Sequence, residues 1–394
     1  MKDLSRRTLN LVQSDIRAIT GMVNAVNGIN LGQGICDMPA PDVVKHAAQI
    51  AIDEDRSIYT GYSGIPPLRT AILEKARIFN SLPAESVEDV MVSVGSTGAF
   101  VSAIFGLLDP GDEAVLFEPF YGYHRNLIGL TGASIRFVPS HGSNWEVDFQ
   151  ALRDGITPRT KLVVLCTPGN PSGKVWTRSE LATLLEIMQE HDLYAITDEI
   201  YEYMTYDGRE HVSLASLPGA YERTVTISGF SKTYNMTGWR LGYAVGPQAI
   251  LEKMGLLNDL FFICAPAPLQ HGVAAAFRMG QEYFDRMLND YTAKRRMMCE
   301  TLEQCGFGVS WPQGAYYVMA DVRPPASVRS GFEDDRAACE TLIREAGVAT
   351  VPGNSFFEKP ESGSAYLRFC YAKEHAVLAD ACDRLLEAYS FARL

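Results

Sequence analysis

Between residues 90 and 246 the chain alternates short, uniformly apolar runs with amphipathic ones. "VMVSV" (90–94), "EAVLF" (113–117), "SIRFVP" (134–139), "KLVVLC" (161–166), "LYAIT" (193–197), "TVTIS" (224–228) and "GYAVG" (242–246) are rich in β-branched residues and too short for helices. Apolar positions recur at helical spacing in "STGAFVSAIFGLL" (96–108) and "RSELATLLEIMQEH" (178–191), and turn residues such as "DPGD" (109–112) punctuate the series. Strands apolar on both faces, separated by helices, predict an α/β unit: a mostly parallel seven-stranded sheet between helices. Ligands of such sheets sit at the carboxyl ends of the strands.

The pattern changes after about residue 270. The stretch 273–306 predicts one long helix or two in series. It is followed by an apolar strand at "AYYVMADV" (315–322), a helix near 333–346, a strand at "YLRFCYA" (366–372) and a last helix from about 374. This is a smaller α+β unit. The first forty-odd residues lack strand–helix alternation and are assigned to it. The expected division is a large domain over 46–290 and a small domain formed by 1–45 and 291–394. No internal repeat or low-complexity segment interrupts the chain.

Composition narrows the function. Across 394 residues, 47% are hydrophobic and 21% charged, which is ordinary for a globular protein with a full core. A net charge of −12 argues against nucleic acid or an anionic membrane as partner. The eight cysteines form no C-x-x-C pair and the seven histidines show no metal spacing, so neither a disulfide framework nor a metal site is expected. The first twenty residues carry no signal-peptide core, and no apolar run is long enough to span a bilayer. The expectation is a reduced, cytoplasmic protein.

Candidate chemistry falls at the strand ends. "GSTG" (95–98) ends a strand and opens a helix, which makes an anion site of phosphate type. "CTPGNPSGKV" (166–175) holds Asn170 in a loop stiffened by two prolines. "TDEIYEYM" (197–204) puts Asp198 at a strand end, with Tyr201 shortly after. "SGFSKTYNMTGWR" (228–240) holds Lys232 among small residues, with Arg240 eight residues on. A desolvated lysine forms a Schiff base with an aldehyde. A carboxylate keeps a pyridine nitrogen protonated, Asn and Tyr hydrogen-bond a ring oxygen, and a helix N-terminus with Arg and Ser holds phosphate. The molecule that uses all these parts is pyridoxal 5'-phosphate (PLP).

With these blocks, and with "NLGQGICDMPAPDVV", "YTGYSGIPPLR", "LDPGDEAVLFEPFYGY", "PQGAYYVMADV" and "VPGNSFF", the chain resembles, over nearly its whole length, the class I/II aminotransferases, fold-type I PLP enzymes of the aspartate aminotransferase superfamily. The resemblance implies that Lys232 carries the cofactor and shuttles the proton. It makes Asp198 the partner of the pyridine nitrogen, and Asn170 and Tyr201 the donors to the ring oxygen. Tyr121 takes the place of the aromatic that stacks on the ring. Ser96, Thr97, Ser231 and Arg240 become phosphate ligands, and Tyr59 reaches the phosphate of a neighbouring subunit in a homodimer with shared sites. Arg368 would clamp the α-carboxylate, with the Gly34 backbone and also Asn170 and Tyr121 beside the substrate. The chain departs from many relatives in having Gly229, not Ser, three residues before the lysine.

The implied activity is transfer of an amino group between an α-amino acid and a 2-oxo acid. The same scaffold also serves lyases, cyclases and oxidases acting on an amino acid, and a non-catalytic PLP-binding regulator is the alternative from another class. With no second arginine in "NDLFFICAPAPLQ" (258–270), and with Tyr62, Phe120, Tyr123, Phe261 and Phe262 as candidate pocket residues, an apolar or aromatic side chain is expected of the substrate.

Overall fold

The computed structural model describes residues 16–390. All seven apolar runs become strands of one sheet: β1 (Val90–Val94), β2 (Glu113–Phe117), β3 (Ser134–Val138), β4 (Thr160–Cys166), β5 (Tyr194–Asp198), β6 (Thr224–Gly229) and β7 (Leu241–Val245). Their spatial order is β1-β7-β6-β5-β4-β2-β3. β7 runs antiparallel to both its neighbours, and the other pairings are parallel.

The uniform apolarity of the strands has a direct cause in β4. Leu162 and Val164 join one core, with helices Gly95–Leu107 and Gln248–Phe262. Val163 and Leu165 face the other way, into a core shared with helix Arg178–Glu190. Both faces of the sheet are dry, so successive residues are apolar. Helix Arg178–Glu190 starts where the sequence expects it because Thr177 and Glu180 form a reciprocal capping box.

The 273–306 stretch resolves into two helices, Ala267–Ala276 and Gln281–Gln304, with Gly280 between them. The second passes unbroken through position 290, where the domain boundary was expected. A second, antiparallel sheet follows: β8 (Gly308–Ser310), β9 (Tyr317–Asp321), β10 (Val351–Pro352) and β11 (Tyr366–Cys370), in the order β8-β9-β11-β10. β9 begins two residues later than its apolar run because Ala315 adopts a left-handed conformation (φ 58°), which no strand accepts. Ile19, Val23, Leu31 and Cys36 from the start of the described chain pack into the core of this second unit. Ile29–Asn30 pairs with Val348–Ala349. All eight cysteines are free thiols, and among the described residues no helix is long and apolar enough to cross a membrane.

Candidate active site

The sheet topology collects the candidate residues at one edge. β1, β4, β5 and β6 are mutually aligned, so the segments holding Ser96, Asn170, Tyr201 and Lys232 leave from the same side. Arg240 precedes β7, and only because β7 is antiparallel does its start lie at that edge. A cavity of about 310 Å³ opens there, within the size range of small-molecule sites. Gly34, Ser96, Thr97, Tyr121, Asn170, Asp198, Tyr201, Ser231, Lys232, Arg240 and Arg368 all line it. Tyr59 does not. It is 77% exposed and lines a separate surface groove with Arg56 and His271.

Lys232 is part-buried on the cavity wall, and its amine donates to the Gly34 carbonyl at 2.9 Å. Desolvation pulls the ammonium below its ordinary pKa, and the positive charges of Arg368 and Arg240 push the same way. Asp198 is buried, with Oδ2 3.1 Å from His124 Nε2 and Oδ1 accepting from the Ile200 amide at 3.3 Å. Tyr201 donates to the Tyr317 hydroxyl at 3.3 Å, and burial raises its phenol pKa well above the ordinary value.

Arg368 also lines the cavity. Nη1 donates to Asn170 Oδ1 at 2.9 Å and Nη2 to the Gly32 carbonyl at 2.6 Å. The guanidinium lies 4.4 Å from the Tyr317 ring centre and 4.9 Å from that of Phe356. Its Nε is buried with no partner. Gly34 is required beside it, since a Cβ there would come within 1.8 Å of the Tyr317 hydroxyl.

The phosphate-type corner is built by close approach. Helix Gly95–Leu107 has no side-chain cap; its Gly95 amide donates to the Arg240 carbonyl at 3.0 Å, and the amides that follow in the first turn have no capping side chain and face the dipole's positive end. Gly95 has φ +68°, and a Cβ on it would sit 2.4 Å from Arg240 Nη2. The Arg240 guanidinium is fixed from behind by a 2.8 Å bond to the Thr237 carbonyl. The departure at Gly229 also finds its reason: a Cβ there would lie 3.0 Å from Ile200 Cδ1 and 3.2 Å from the Leu241 carbonyl, so the Tyr201 turn and β7 close over this position.

Sequence reasoning missed His124 and Tyr317. His124 stacks on Phe100 at 4.4 Å and meets the Tyr121 ring edge-on at 5.3 Å, so it fixes Asp198 and Tyr121 together. Its one signal was the i+3 spacing from Tyr121 at the start of a helix. Of the five proposed pocket aromatics only Tyr123 lines the cavity. Phe120 is core, packed on Phe137, while Tyr62 abuts Gly255 and Phe261 is 47% exposed on helix Gln248–Phe262.

The cavity thus brings together a lysine whose pKa burial lowers, a buried carboxylate, and a helix N-terminus without a side-chain cap beside an arginine, parts suited to an amine–carbonyl partner and an anion. The chain belongs to the aminotransferase class I and II family, whose model matches residues 26–385. It is 34% identical over 390 residues to kynurenine–oxoglutarate transaminase 1 of Homo sapiens, covering 91% of each chain. It is 33% identical over 379 residues to the probable N-succinyldiaminopimelate aminotransferase DapC of Mycobacterium tuberculosis, covering 93% of this chain and 94% of the relative. Among solved structures it superposes on YbdL from Escherichia coli, described as having a methionine aminotransferase function. The TM-score is 0.93 at 28% identity, covering 98% of this chain and 100% of that one. The protein is an aminotransferase, and enzymes of this class use PLP. The donor set fits that group, with an uncapped helix start and Arg240 for the phosphate, Asp198 for the ring nitrogen and Lys232 for the aldehyde.

Proposed function

We propose that the cavity binds PLP on Lys232 and a free α-amino acid through Arg368, and that the enzyme moves the amino group to a 2-oxo acid. The observation that carries this reading is that one cavity is lined by a desolvated lysine, a buried carboxylate, Asp198, and a buried guanidinium, Arg368, with an unpartnered Nε. When bound, PLP supplies an electron sink for the pair left by the substrate Cα–H bond.

The rest is done by the chain. Lys232, desolvated and so biased toward the neutral amine, is the group that would hold the cofactor's aldehyde and, once freed, would be placed to carry a proton from the substrate Cα. Asp198, oriented by His124, holds the proton on the ring nitrogen. Tyr201 and the Asn170 amide donate to the ring oxygen, and Tyr121 covers a ring face. Ser96, Thr97, Ser231, Arg240 and the helix start bind the phosphate. Arg368 and the Gly34 backbone orient the substrate carboxylate, with Asn170 and Tyr121 against the substrate as well.

The residues expected to serve a neighbouring subunit support a homodimer. Ile58 and Tyr59 are 81% and 77% exposed beside "GYSGIPPLR", an exposure that a second copy would cover. We read 46–290 as the cofactor-binding unit and the described parts of 1–45 and 291–394, residues 16–45 and 291–390, as the smaller one, with 1–15 and 391–394 outside the described residues; a cytoplasmic setting is the one that suits eight free thiols.

The side chains named in the relatives differ, so the family leaves that choice open. Among the described residues the cavity has no arginine besides Arg240 and Arg368, and we infer a neutral amino donor. Single-turnover spectra of the PLP form with a panel of amino acids, read with 2-oxo acid release, test the whole assignment. Loss of the PLP absorbance with stoichiometric 2-oxo acid is expected from neutral amino acids. Fastest reaction with aspartate overturns the side-chain reading, and an elimination product without 2-oxo acid transfer overturns the reaction itself.

A further inference from the structure

Behind the cavity lies a second cluster of charged groups that the chemistry above does not use. Glu199 and Glu202 are almost fully buried, and so is the side chain of Lys75 from helix Pro66–Ile78. The Lys75 ammonium pairs with Glu202 Oε2 and also donates to Asn80 Oδ1 at 2.7 Å and to the Tyr243 hydroxyl at 3.1 Å. It stands 5.0 Å from the Phe79 ring centre and 5.5 Å from that of Tyr203. Asn80 Nδ2 bridges Glu202 at 2.9 Å and Glu199 at 3.3 Å. Glu199 also accepts from His211 at 2.8 Å, Ser213 at 2.5 Å and Thr197 at 2.9 Å.

Glu199, Glu202 and His211 present ligand atoms within 4.8 Å of one another, a spacing that suits a metal ion. The chain provides its own cation there. The Lys75 ammonium and the Asn80 amide already occupy the facing carboxylate oxygens, so the chemistry is that of an internal ion cluster.

What the cluster grips points to its role. Along "TDEIYE" the cavity residues Asp198 and Tyr201 are each followed directly by a cluster carboxylate, Glu199 and Glu202. Ser228, four residues before Lys232, donates to Glu202 Oε1 at 2.7 Å and to the Glu199 carbonyl at 3.4 Å. Tyr243 lies three residues after Arg240 on β7. The strand ends that carry the ring-nitrogen partner, the reactive lysine and the phosphate arginine are thus tied to one another from the side away from the ligand.

We propose that Glu199, Glu202 and Lys75 are positioning residues for the transamination site. They form a buried ionic clamp that sets the Asp198–Tyr201 turn against the Lys232 strand end. The proposal rests on the assignment of PLP to Lys232. Arg368 makes none of these contacts, so the clamp acts on the cofactor side of the cavity and leaves the carboxylate side alone.

The test is a charge-removal cycle in the PLP-loaded enzyme. Lys75→Met leaves Glu202 unpaired and should lower Tm by about 3–10 °C. The double variant Lys75→Met, Glu202→Gln removes both charges and should regain at least half of that Tm. Its kcat should stay roughly tenfold or more below wild type, with KM for the amino acid within about threefold and an altered circular dichroism band of the bound cofactor. A kcat that returns together with Tm makes the cluster merely structural and overturns the proposal. Should the charge variants not fold, Ser228→Ala removes a single hydroxyl and its contacts to Glu202 and the Glu199 carbonyl, leaving the charges in place. It should lower kcat about three- to tenfold at unchanged Tm, and a wild-type kcat and cofactor spectrum there also overturns the proposal. Borohydride fixation of the cofactor to Lys232 in the wild type is the control. Its failure rejects the site assignment and not the clamp.

Discussion

Arg368→Lys tests the carboxylate clamp while keeping the charge. In the structure two of the five guanidinium N–H groups are spent on Asn170 and Gly32, and Nε is buried without an acceptor. A substrate carboxylate that accepts from Nε relieves an unmet donor and gains a charge-assisted bond in a desolvated wall. A lysine ammonium has three donors at one point and no planar fork, so it cannot keep Asn170 and Gly32 and also offer two parallel bonds to the substrate. One charge-assisted bond is worth about 1.5–3 kcal/mol, and about 1.4 kcal/mol corresponds to tenfold. The half-saturation concentration for a neutral amino acid should therefore rise about 10- to 150-fold. PLP retention should change less than about threefold, because Lys232, Asp198 and Arg240 make no hydrogen bond to Arg368 and only the Asn170 amide is shared between the two sides. The assay is a single-turnover titration of the PLP form with an amino acid, alongside equilibrium dialysis of PLP. A rise below threefold, or an equal loss of PLP affinity, would refute the reasoning.

Replacing Lys232 by Met should raise the thermal stability of the cofactor-free protein near pH 7, since burial holds the lysine's pKa below 10.5 and the folded state carries a desolvated charge. The unfolded chain binds more protons between the folded pKa and about 10.4, so wild-type stability climbs with pH in that window and the gap to Met closes there. A gap that widens with pH contradicts this sign. Asp198→Ala should leave the circular dichroism spectrum of the fold intact and cut turnover by more than tenfold, and a loss of less than about 1.4 kcal/mol in transition-state stabilisation rejects its role at the ring nitrogen. Mixing Lys232→Ala with Tyr59→Phe subunits should restore activity above either parent through dimers with one intact site. No recovery despite proven exchange, or a monomer by sedimentation, counts against shared sites.

Most strands could be read from the sequence because they bury both faces, so apolarity alone marks them; the edge strand β3 instead exposes Ser134 and Arg136 on one face. Even the ends of β1 and β2 fall where the pattern puts them. The direction of β7 could not be read in that way, because an apolar run is the same in either sense. That direction decides where Arg240 arrives. His124 was hidden for a different reason: a single histidine on a half-buried helix carries no spacing signature, and its role appears only when β5 brings Asp198 within 3.1 Å of it. Glu199 and Glu202 look like ordinary solvated charges in sequence. Their burial depends on a lysine more than 120 positions away in the chain.

The site divides by burial into two parts with different rules. Asp198, Asn170 and Tyr201 come from strand ends or their adjoining turns and Arg368 from the middle of β11; all four are buried and fixed by bonds to one another, to backbone or to the buried Tyr317. In the proposed mechanism, groups held in this way meet the cofactor and the part of the substrate every amino acid shares. Tyr123 and Ile35 also line the cavity, but they are 54% and 45% exposed, on segments that no strand constrains. These rim positions are the ones free to meet a side chain. A buried, mutually bonded group cannot change without leaving a partner unsatisfied, at about 1–3 kcal/mol each. A rim residue changes at little cost in stability. Tyr123 and Ile35 sit within the same short stretches as Tyr121 and Gly34, so a change of side-chain preference can arise one or two positions from groups that must stay fixed.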